Sequence, residues 1–356
     1  MKRAARFMAL ALKLARKGAG FASPNPMVGA VVVRGGKVVS TGYHARHGEE
    51  HAEAVALRKA GRRARGATMY VSLEPCCHWG LQPPCTLDII AAGVKKVVYA
   101  LRDPNPLVGG KGRKELARAG IRVEGGLLAE EARELNRAYF KRMEKGLPYV
   151  VLKVAMSADG KISGQKGKWI GGPQERKEVQ RLRARSDAVM VGIRTVLKDD
   201  PRLTARVKDA RQPLRVVLDS RLRLPLKARL LREKGSVLVL TTRKAPAAKR
   251  KKLEKKGAEV VRVKEQKSRV DLKAALRELG KRKVNQVLVE GGQKLSTALL
   301  AQGLVDELCL AVSPKAIGAK GLDAFDFRQL KEKQVTLRKM EWKKLGKDWL
   351  VRARLG

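Results

Sequence analysis

The stretch Leu73-Glu74-Pro75-Cys76-Cys77-His78-Trp79-Gly80-Leu81-Gln82-Pro83-Pro84-Cys85 lies between a β-rich run, Thr68–Leu73, and a helical run, Thr86–Ala92. It reads as a strand leaving a sheet, then a loop, then a helix whose start is set by Pro83-Pro84, because proline's fixed φ suits a first helical turn. Two cysteines stand nine positions apart on it, and His51-Ala52-Glu53 opens the preceding helix, His51–Ala60. A catalytic zinc takes three protein ligands such as His and Cys and keeps one position for water. His51, Cys76 and Cys85 supply that number. Helix starts close to the two cysteines favour their thiolates, since backbone N–H groups stabilise negative charge there. Glu53 can then reach a metal-bound water as a proton shuttle without ligating the metal. Such a set serves hydrolytic removal of an amine from an amidine-like ring carbon. The other readings are buried free thiols and a structural zinc with Cys77 or His78 as fourth ligand, although neighbours on one strand end rarely both reach a metal.

Working outward, Ala30–Val33 and Lys37–Thr41 are β-rich runs joined by Arg34-Gly35-Gly36, a hairpin signal. Strand Lys95–Leu101, helix Lys114–Ala119 and strand Ile121–Glu124 follow, and helix Glu130–Lys145 closes the unit. This alternation predicts a three-layer α/β/α domain. Gly146-Leu147-Pro148 reads as a linker, which gives domains 1–146 and 147–356. From Tyr149 the alternation restarts with strands Tyr149–Met156, Ala188–Gly192, Leu214–Leu218, Ser236–Thr241, Glu259–Arg262, Gln286–Glu290 and Glu307–Val312. Helices Pro173–Ala184, Ala247–Lys256, Leu272–Leu279 and Leu295–Ala301 are interleaved, and two antiparallel strands span Val335 to Arg354. In Val289-Glu290-Gly291-Gly292 a strand runs into a glycine turn ahead of the helix from Leu295. Backbone N–H groups there can cradle a dinucleotide phosphate, though a lone Gly-Gly after a strand is most often an ordinary turn. At the other end, Phe7, Met8, Ala11, Leu14 and Ala15 share one face of a basic helix. That face suits a helix covering a sheet; a targeting segment or a membrane-surface helix has the same pattern.

The 356 residues carry 79 Lys+Arg against 34 Asp+Glu, a net charge of +45, with hydrophobic residues at 44%. Residues 1–145 hold 27 basic and 12 acidic side chains and the remainder 52 and 22, so both halves are basic, and hydrophobic content throughout excludes a disordered basic tail. Such charge implies non-specific attraction to polyanions. Four cysteines cannot make a disulfide scaffold, and three of them crowd between Cys76 and Cys85, as metal ligands do in a reducing compartment. The longest apolar run, Met27 to Val33, has seven residues, far short of the ~20 of a membrane span. A cytoplasmic location and no membrane partner are expected.

The sequence resembles the bifunctional riboflavin-biosynthesis enzymes, in which a diaminohydroxyphosphoribosylaminopyrimidine deaminase is fused to a 5-amino-6-(5-phosphoribosylamino)uracil reductase. The resemblance runs from about Ala4 to Leu355 and rests on motifs in order. Ser23-Pro24-Asn25-Pro26-Met27-Val28-Gly29, Gly48-Glu49-Glu50-His51-Ala52-Glu53, Leu73 to Cys85 and Arg102-Asp103-Pro104-Asn105-Pro106 lie in the first half. The second half has Leu152 to Gly160, Lys168-Trp169-Ile170, Arg181 to Ala188, Val191 to Thr204, Leu218-Asp219-Ser220 and Val289-Glu290-Gly291-Gly292. The nine-residue step between cysteines sets this family apart from nucleoside and tRNA deaminases.

The resemblance implies a cytidine-deaminase-like N-terminal domain and a dihydrofolate-reductase-like α/β C-terminal domain. It implies one Zn²⁺ per chain on His51, Cys76 and Cys85, Glu53 as proton donor, and pyrimidine contacts from Asn25, His44, His78, Asp103 and Asn105. Taken alone, these polar residues are ordinary loop and turn formers, Asp103-Pro104-Asn105-Pro106 above all. For the reductase it implies substrate contacts from Lys153, Gly167, Arg183, Leu203, Arg206 and Glu290. NADPH would contact Met156, Trp169, Thr195, Asp199, Ser220, Gly292, Gln293, Lys294, Leu295, Ser296, Thr297 and Ala298. Arg183 and Arg206 would clamp phosphate, which a guanidinium binds through two parallel hydrogen bonds. Lys153 and Glu290 would supply charge complementarity. Homo-oligomers through the reductase domain are also implied.

Several positions depart from the family pattern. Leu81 and Gln82 replace a basic residue and Thr, Trp79 and Cys77 replace more polar neighbours, and Met27 replaces a small or polar one. Gly167 replaces a serine, and Gly171-Gly172 replace Thr-Ser or Thr-Gly. The expected function is deamination of 2,5-diamino-6-(5-phosphoribosylamino)pyrimidin-4(3H)-one, then NADPH-dependent reduction of its ribosyl group to ribityl. The alternatives are a deaminase with an impaired reductase, and a polyanion (RNA)-binding deaminase-like protein. The last would show basic residues on one face with interleaved aromatics, and the chain has only four Trp, five Tyr and five Phe.

Overall fold

Alternate residues of a strand face opposite sides, and in β1 (Gly29–Arg34) Ala30 and Val32 enter one core while Val31 and Val33 enter another. The computed structural model describes residues 2–164, 169–330 and 336–355, and the chain divides into two units, Met1–Lys145 and Gly146–Gly356. In the first unit β1 turns through Gly35 and Gly36, both at positive φ, into antiparallel β2 (Lys37–Tyr43). On its other side β1 pairs antiparallel with β3 (Thr68–Val71), which β4 (Lys96–Tyr99) and β5 (Arg122–Gly125) extend in parallel. The order is β2-β1-β3-β4-β5.

The face of Ala30 and Val32 is covered by α2 (Ala52–Ala60), α3 (Cys85–Ala91) and α4 (Lys111–Arg118), through Ala56, Leu57, Ile89 and Leu116. The face of Val31 and Val33 is covered by α1 (Lys2–Ala15) and α5 (Ala129–Leu135), through Phe7, Met8, Ala11, Leu12 and Ala132. The basic N-terminal helix thus covers a sheet, with Leu12 in the core and Leu14 only half-buried. Two strand glycines let helix backbones come close. A Cβ on Gly29 would lie 2.1 Å from the Ala11 carbonyl oxygen, and one on Gly42 2.2 Å from that of Ala52.

One helix was expected over Glu130–Lys145. The structure has two, α5 and α6 (Arg137–Lys145), broken at Asn136. The Asn136 side chain is committed to the backbone of Met27, accepting from its N–H at 2.8 Å and donating to its carbonyl at 2.9 Å.

The second unit opens with β6 (Tyr149–Ser157), β7 (Lys161–Ser163), α7 (Pro173–Arg185), β8 (Ala188–Gly192), α8 (Ile193–Asp199) and β9 (Leu214–Leu218). Next come β10 (Val237–Thr241), α9 (Ala247–Glu254), β11 (Ala258–Arg262), β12 (Glu265–Gln266), β13 (Arg269–Val270) and α10 (Leu272–Lys281). It ends with β14 (Gln286–Val289), α11 (Gln293–Ala301), β15 (Glu307–Ser313), β16 (Leu322–Asp323), β17 (Leu337–Leu345) and β18 (Asp348–Leu355). Nine strands form one sheet, ordered β11-β10-β9-β8-β14-β6-β15-β18-β17 among the described residues. The pairs from β11 to β15 are parallel, and β15, β18 and β17 pair antiparallel. Val150, Leu152, Met190, Val216 and Leu238 pack with Leu276 and Leu279 of α10 and Leu299 of α11. Their neighbours Val151, Val189, Val217 and Val239 are buried as well, as a sheet covered on both faces requires. The sequence reading lacked α8 and the short strands β7, β12, β13 and β16.

Candidate active sites

His51 precedes the first turn of α2, Cys76 lies on the loop after β3, and Cys85 is the first residue of α3. His51 Nδ1 is 3.2 Å from Cys85 Sγ and 3.5 Å from Cys76 Sγ, and one ligand atom from each residue lies within 4.8 Å of the others. Among the described residues this is the cluster of His, Cys and carboxylate atoms able to hold a metal. Cys77 Sγ is directed instead at the Leu107 carbonyl, 3.8 Å away, and His78 brings no ligand atom to the cluster. Neither provides the fourth ligand of a structural site. Two sulfurs and one imidazole suit zinc with one coordination position left over.

Cys85 is at a helix start, whereas Cys76 is on a loop and borrows that start, accepting from the Cys85 N–H at 3.4 Å. The hydrogen bond with the Cys85 thiol, aided by His51, pulls Cys76 down to about 4 against its burial. The same contact and burial raise Cys85, and the bond to Cys76 raises His51. Glu53, in the first turn of α2, is 4% exposed. Burial pushes its carboxyl up to about 7, reinforced by Cys76 and opposed by His51.

Asn25 and His44 meet this cluster. The His44 ring packs edge-on to His51 with centroids 5.2 Å apart. Its Nδ1 is 3.1 Å from the Glu50 carbonyl, which only accepts, so Nδ1 carries the proton and Nε2 accepts from the Asn25 amide at 3.2 Å. Burial lowers the pKa of His44 and keeps it neutral. Asp103 Oδ1 accepts from Tyr139 Oη–H at 2.9 Å and from the Asn105 N–H at 2.8 Å, and Asn105 Oδ1 accepts from the Leu107 N–H at 3.1 Å. The turn-forming reading of these two residues therefore holds, and both bonds to Asp103 fall on one oxygen. Burial raises the Asp103 carboxyl to about 6. His78 Nδ1 is buried without a hydrogen-bond partner.

The sequence reading missed Glu74, which is 3% exposed. Its Oε2 accepts from the N–H groups of Gly110 at 2.9 Å and Asp103 at 3.4 Å, and its Oε1 from that of Arg113 at 3.1 Å. One carboxylate thus holds the Asp103 loop and the start of α4. An acid inside the apolar run before Cys76 was the available signal. Gln82, a family departure, pins its loop by donating to the Gly48 carbonyl at 2.8 Å, while Trp79 and Leu81 are exposed.

In the second unit a cleft of about 1840 Å³ opens at the C-terminal ends of β8, β9 and β14. Lys153, Arg183, Leu203, Arg206 and Glu290 line it, as do Trp169, Thr195, Asp199, Ser220, Gly292, Gln293, Lys294, Leu295 and Ala298. Gly167 lies outside the described residues. Met156, Ser296 and Thr297 do not line the cleft: Met156 packs on the core, and Ser296 and Thr297 are buried. Thr297 Oγ1 accepts from the Asp326 N–H at 2.9 Å. Helix α11 starts at Gly292 with no side-chain cap, and a Cβ there would meet nothing within 4 Å. Gly292, Gln293 and Lys294 line the cleft, so the N–H groups that a helix start leaves outside the helical ladder lie beside it, a place suited to a dinucleotide phosphate.

Arg183 is not the free clamp expected. Its Nε and Nη2 bind the two oxygens of Glu290 at 2.6 and 2.8 Å, and Nη1 donates to the Thr204 carbonyl at 3.1 Å. Glu290 is held low by Arg183 against its burial. The exposed guanidinium is that of Arg206, whose pKa burial and the neighbouring Arg183 lower. Lys153 Nζ pairs at 2.5 Å with Glu175, a buried acid in the first turn of α7 that sequence reading missed. A Cβ on Gly171 would come within 2.8 Å of Glu175 Oε2, so this family departure leaves room for the acid to fold back.

Comparison with known proteins covers both units. Residues 148–351 match the RibD C-terminal domain, and residues 1–101 the cytidine and deoxycytidylate deaminase zinc-binding region. The riboflavin biosynthesis protein RibD of Aquifex aeolicus is 43% identical over 350 residues, covering 97% of this chain and 96% of that protein. That of Escherichia coli is 43% identical over 336 residues, covering 89% of each. The solved structure of Acinetobacter baumannii RibD superposes with a TM-score of 0.92 at 39% identity, covering 100% of this chain and 99% of the other. A deaminase/reductase structure from Thermotoga maritima gives 0.84 at 36% identity, with the same coverage.

Proposed function

Since this chain belongs to the RibD family of bifunctional riboflavin-biosynthesis deaminase/reductases, we propose that residues 1–146 deaminate 2,5-diamino-6-(5-phosphoribosylamino)pyrimidin-4(3H)-one and residues 147–356 reduce the product's ribosyl group. The observation that carries this is the convergence of His51 Nδ1, Cys76 Sγ and Cys85 Sγ beside buried Glu53. Zinc, when bound there, supplies the Lewis acidity that makes water a nucleophile at neutral pH. Glu53 takes a proton from that water and delivers it to the departing amine, so that water and the amino group become a ring carbonyl and ammonia. Burial raises the Glu53 carboxyl above the ordinary carboxylate range, which suits a group that must both take and give a proton. Asn25, with its amide N–H turned to His44, offers Oδ1 to the amine, and Asp103 offers Oδ2 to ring N–H groups.

In the second unit NADPH, when bound, supplies hydride to C1 of the open-chain ribosyl group. The α11 start would hold its pyrophosphate, and the positive charge of Arg221, Arg223, Lys267 and Arg269 along the cleft would favour the 2′-phosphorylated dinucleotide over NADH. Lys153, on the cleft wall and paired with Glu175, would hold the proton that accompanies hydride, and Arg206, exposed on the same wall, would take the substrate phosphate. The Arg183–Glu290 pair shapes the pocket wall. Homo-oligomerisation through the reductase unit is supported by the exposed Met340, Trp342 and Trp349 on its edge hairpin β17–β18. Free cysteines fit a cytoplasmic location, and no helix among the described residues is long and apolar enough to cross a membrane.

A coupled assay tests the reading. The chain should release ammonia from the diaminopyrimidine and then consume NADPH, with about one zinc per chain. His51→Ala should lose both zinc and ammonia release while still reducing the deaminated compound. Ammonia release surviving in that variant would overturn the mechanism, and ammonia release without NADPH consumption would leave the deaminase-only reading.

A further inference from the structure

Three residues of the first unit, three positions apart at the α5–α6 break and along α6, reach back into the loops that carry Asn25 and Asp103. Asn136, at the start of α6, holds the Met27 backbone through two bonds, 2.8 and 2.9 Å. Tyr139 donates to Asp103 Oδ1 at 2.9 Å, and Arg142 Nη2 donates to the Pro24 carbonyl at 3.3 Å. Tyr139 and Arg142, spaced by three on α6, stand one above the other, and Asn136 is the residue just before that helix. The Arg142 guanidinium also lies 5.7 Å from the centre of the Tyr139 ring. Asn136 and Tyr139 are buried, and the Tyr139 ring packs with Leu73 and Leu101, the residues from which the Cys76 and Asp103 loops depart.

We propose that α6 is the positioning element of the deaminase site, with Tyr139 and Asn136 fixing Asp103 and Asn25 at the separation that the pyrimidine edge demands. The inference rests on the deaminase reading above. None of the three side chains needs to touch substrate. Tyr139 acts through Asp103, because its hydroxyl and the Asn105 N–H both bond Oδ1 and so turn Oδ2 toward a ligand. Asn136 acts through the backbone, two residues after Asn25. A buried tyrosine hydroxyl needs an acceptor, so the Asp103 rotamer is fixed from the apolar side before substrate arrives. Binding, more than the chemical step, depends on that fixed spacing.

The test uses the full chain with its zinc. Tyr139→Phe keeps the ring and removes the hydroxyl. It should raise KM for the diaminopyrimidine about tenfold, the size of one buried hydrogen bond. kcat, zinc content and the reductase activity of the same chain should stay near wild type. In an Asp103→Asn background the same change should add little, since two residues acting as one unit are not additive. An unchanged KM in Tyr139→Phe, or fully additive effects in the double variant, overturns the proposal. Should Tyr139→Phe lose zinc through misfolding, Asn136→Asp decides. It keeps the acceptor for the Met27 N–H and loses the donor to its carbonyl, and an unchanged KM there also overturns the proposal. A wild-type chain that releases no ammonia removes the functional reading and this inference together.

Discussion

Asp103 is held against the preference of a carboxyl group in water, since burial raises it to about 6. Folding therefore favours its protonated form. Its contribution to stability is fully present below the ordinary carboxylate range near 4 and is lost as pH rises through 6. Two pKa units correspond to about 3 kcal/mol. Asp103→Asn should accordingly stabilise the protein at pH 8 by up to that amount and by almost nothing at pH 4, as urea titrations at the two pH values will show. A gain equal at both would mean that the carboxyl is not buried at a cost. The same variant should bind substrate less well, a trade common where a site holds a strained charge. At this scale His51, Glu53, Cys76 and Cys85 were legible in the sequence because their chemistry is declared by residue type and short spacing. Arg183 was legible as a residue of the second unit's cleft, but not as one whose guanidinium is already committed. Its partner Glu290 stands 107 positions away, and only the fold shows that both prongs of the guanidinium are taken.

Helix α2 carries His51 and Glu53, and its height above the sheet is set by Gly42 of β2. The Ala52 carbonyl would stand 2.2 Å from a Cβ at that position, and the Ala56 nitrogen 2.7 Å from it. Backbone cannot give way as a flexible side chain can, so Gly42→Ala must push the helix outward, and with it His51 and Glu53. A shift of about 1 Å in a reacting group costs on the order of 10²-fold in rate. Gly42→Ala should therefore lower ammonia release by about that factor and weaken zinc retention during dialysis against a chelator, leaving NADPH consumption intact. Elements with strong periodicity and ordinary boundaries were legible in the sequence. The break between α5 and α6 was not, because its cause is the Met27 backbone 109 residues earlier. Helix α8 escaped because seven residues opening on an uncapped glycine carry neither a start signal nor enough periodicity.

Over the whole molecule the charge of +45 is not a site. Acids such as Glu50, Glu144 and Glu254 already face arginines, at 2.9, 2.7 and 2.8 Å, and such exposed pairs contribute about 0–1 kcal/mol each. The excess bases are left to solvent and counterions. Single-stranded RNA should consequently bind at low salt, with a steep fall in affinity as salt rises and no preference among sequences, in a filter-binding titration. A sequence preference would revive the nucleic-acid reading. The order of the second sheet bears on how the protein is made. Strand β6 is the first of its unit to leave the ribosome, yet it lies between β14 and β15, which are among the last. Both edges of a nearly all-apolar strand must wait until more than a hundred further residues have been translated. Synthesis at about 5–20 residues per second makes that a delay of many seconds. The first unit is complete at Lys145, so zinc can be captured by a finished deaminase while the reductase is still a nascent chain needing protection from aggregation.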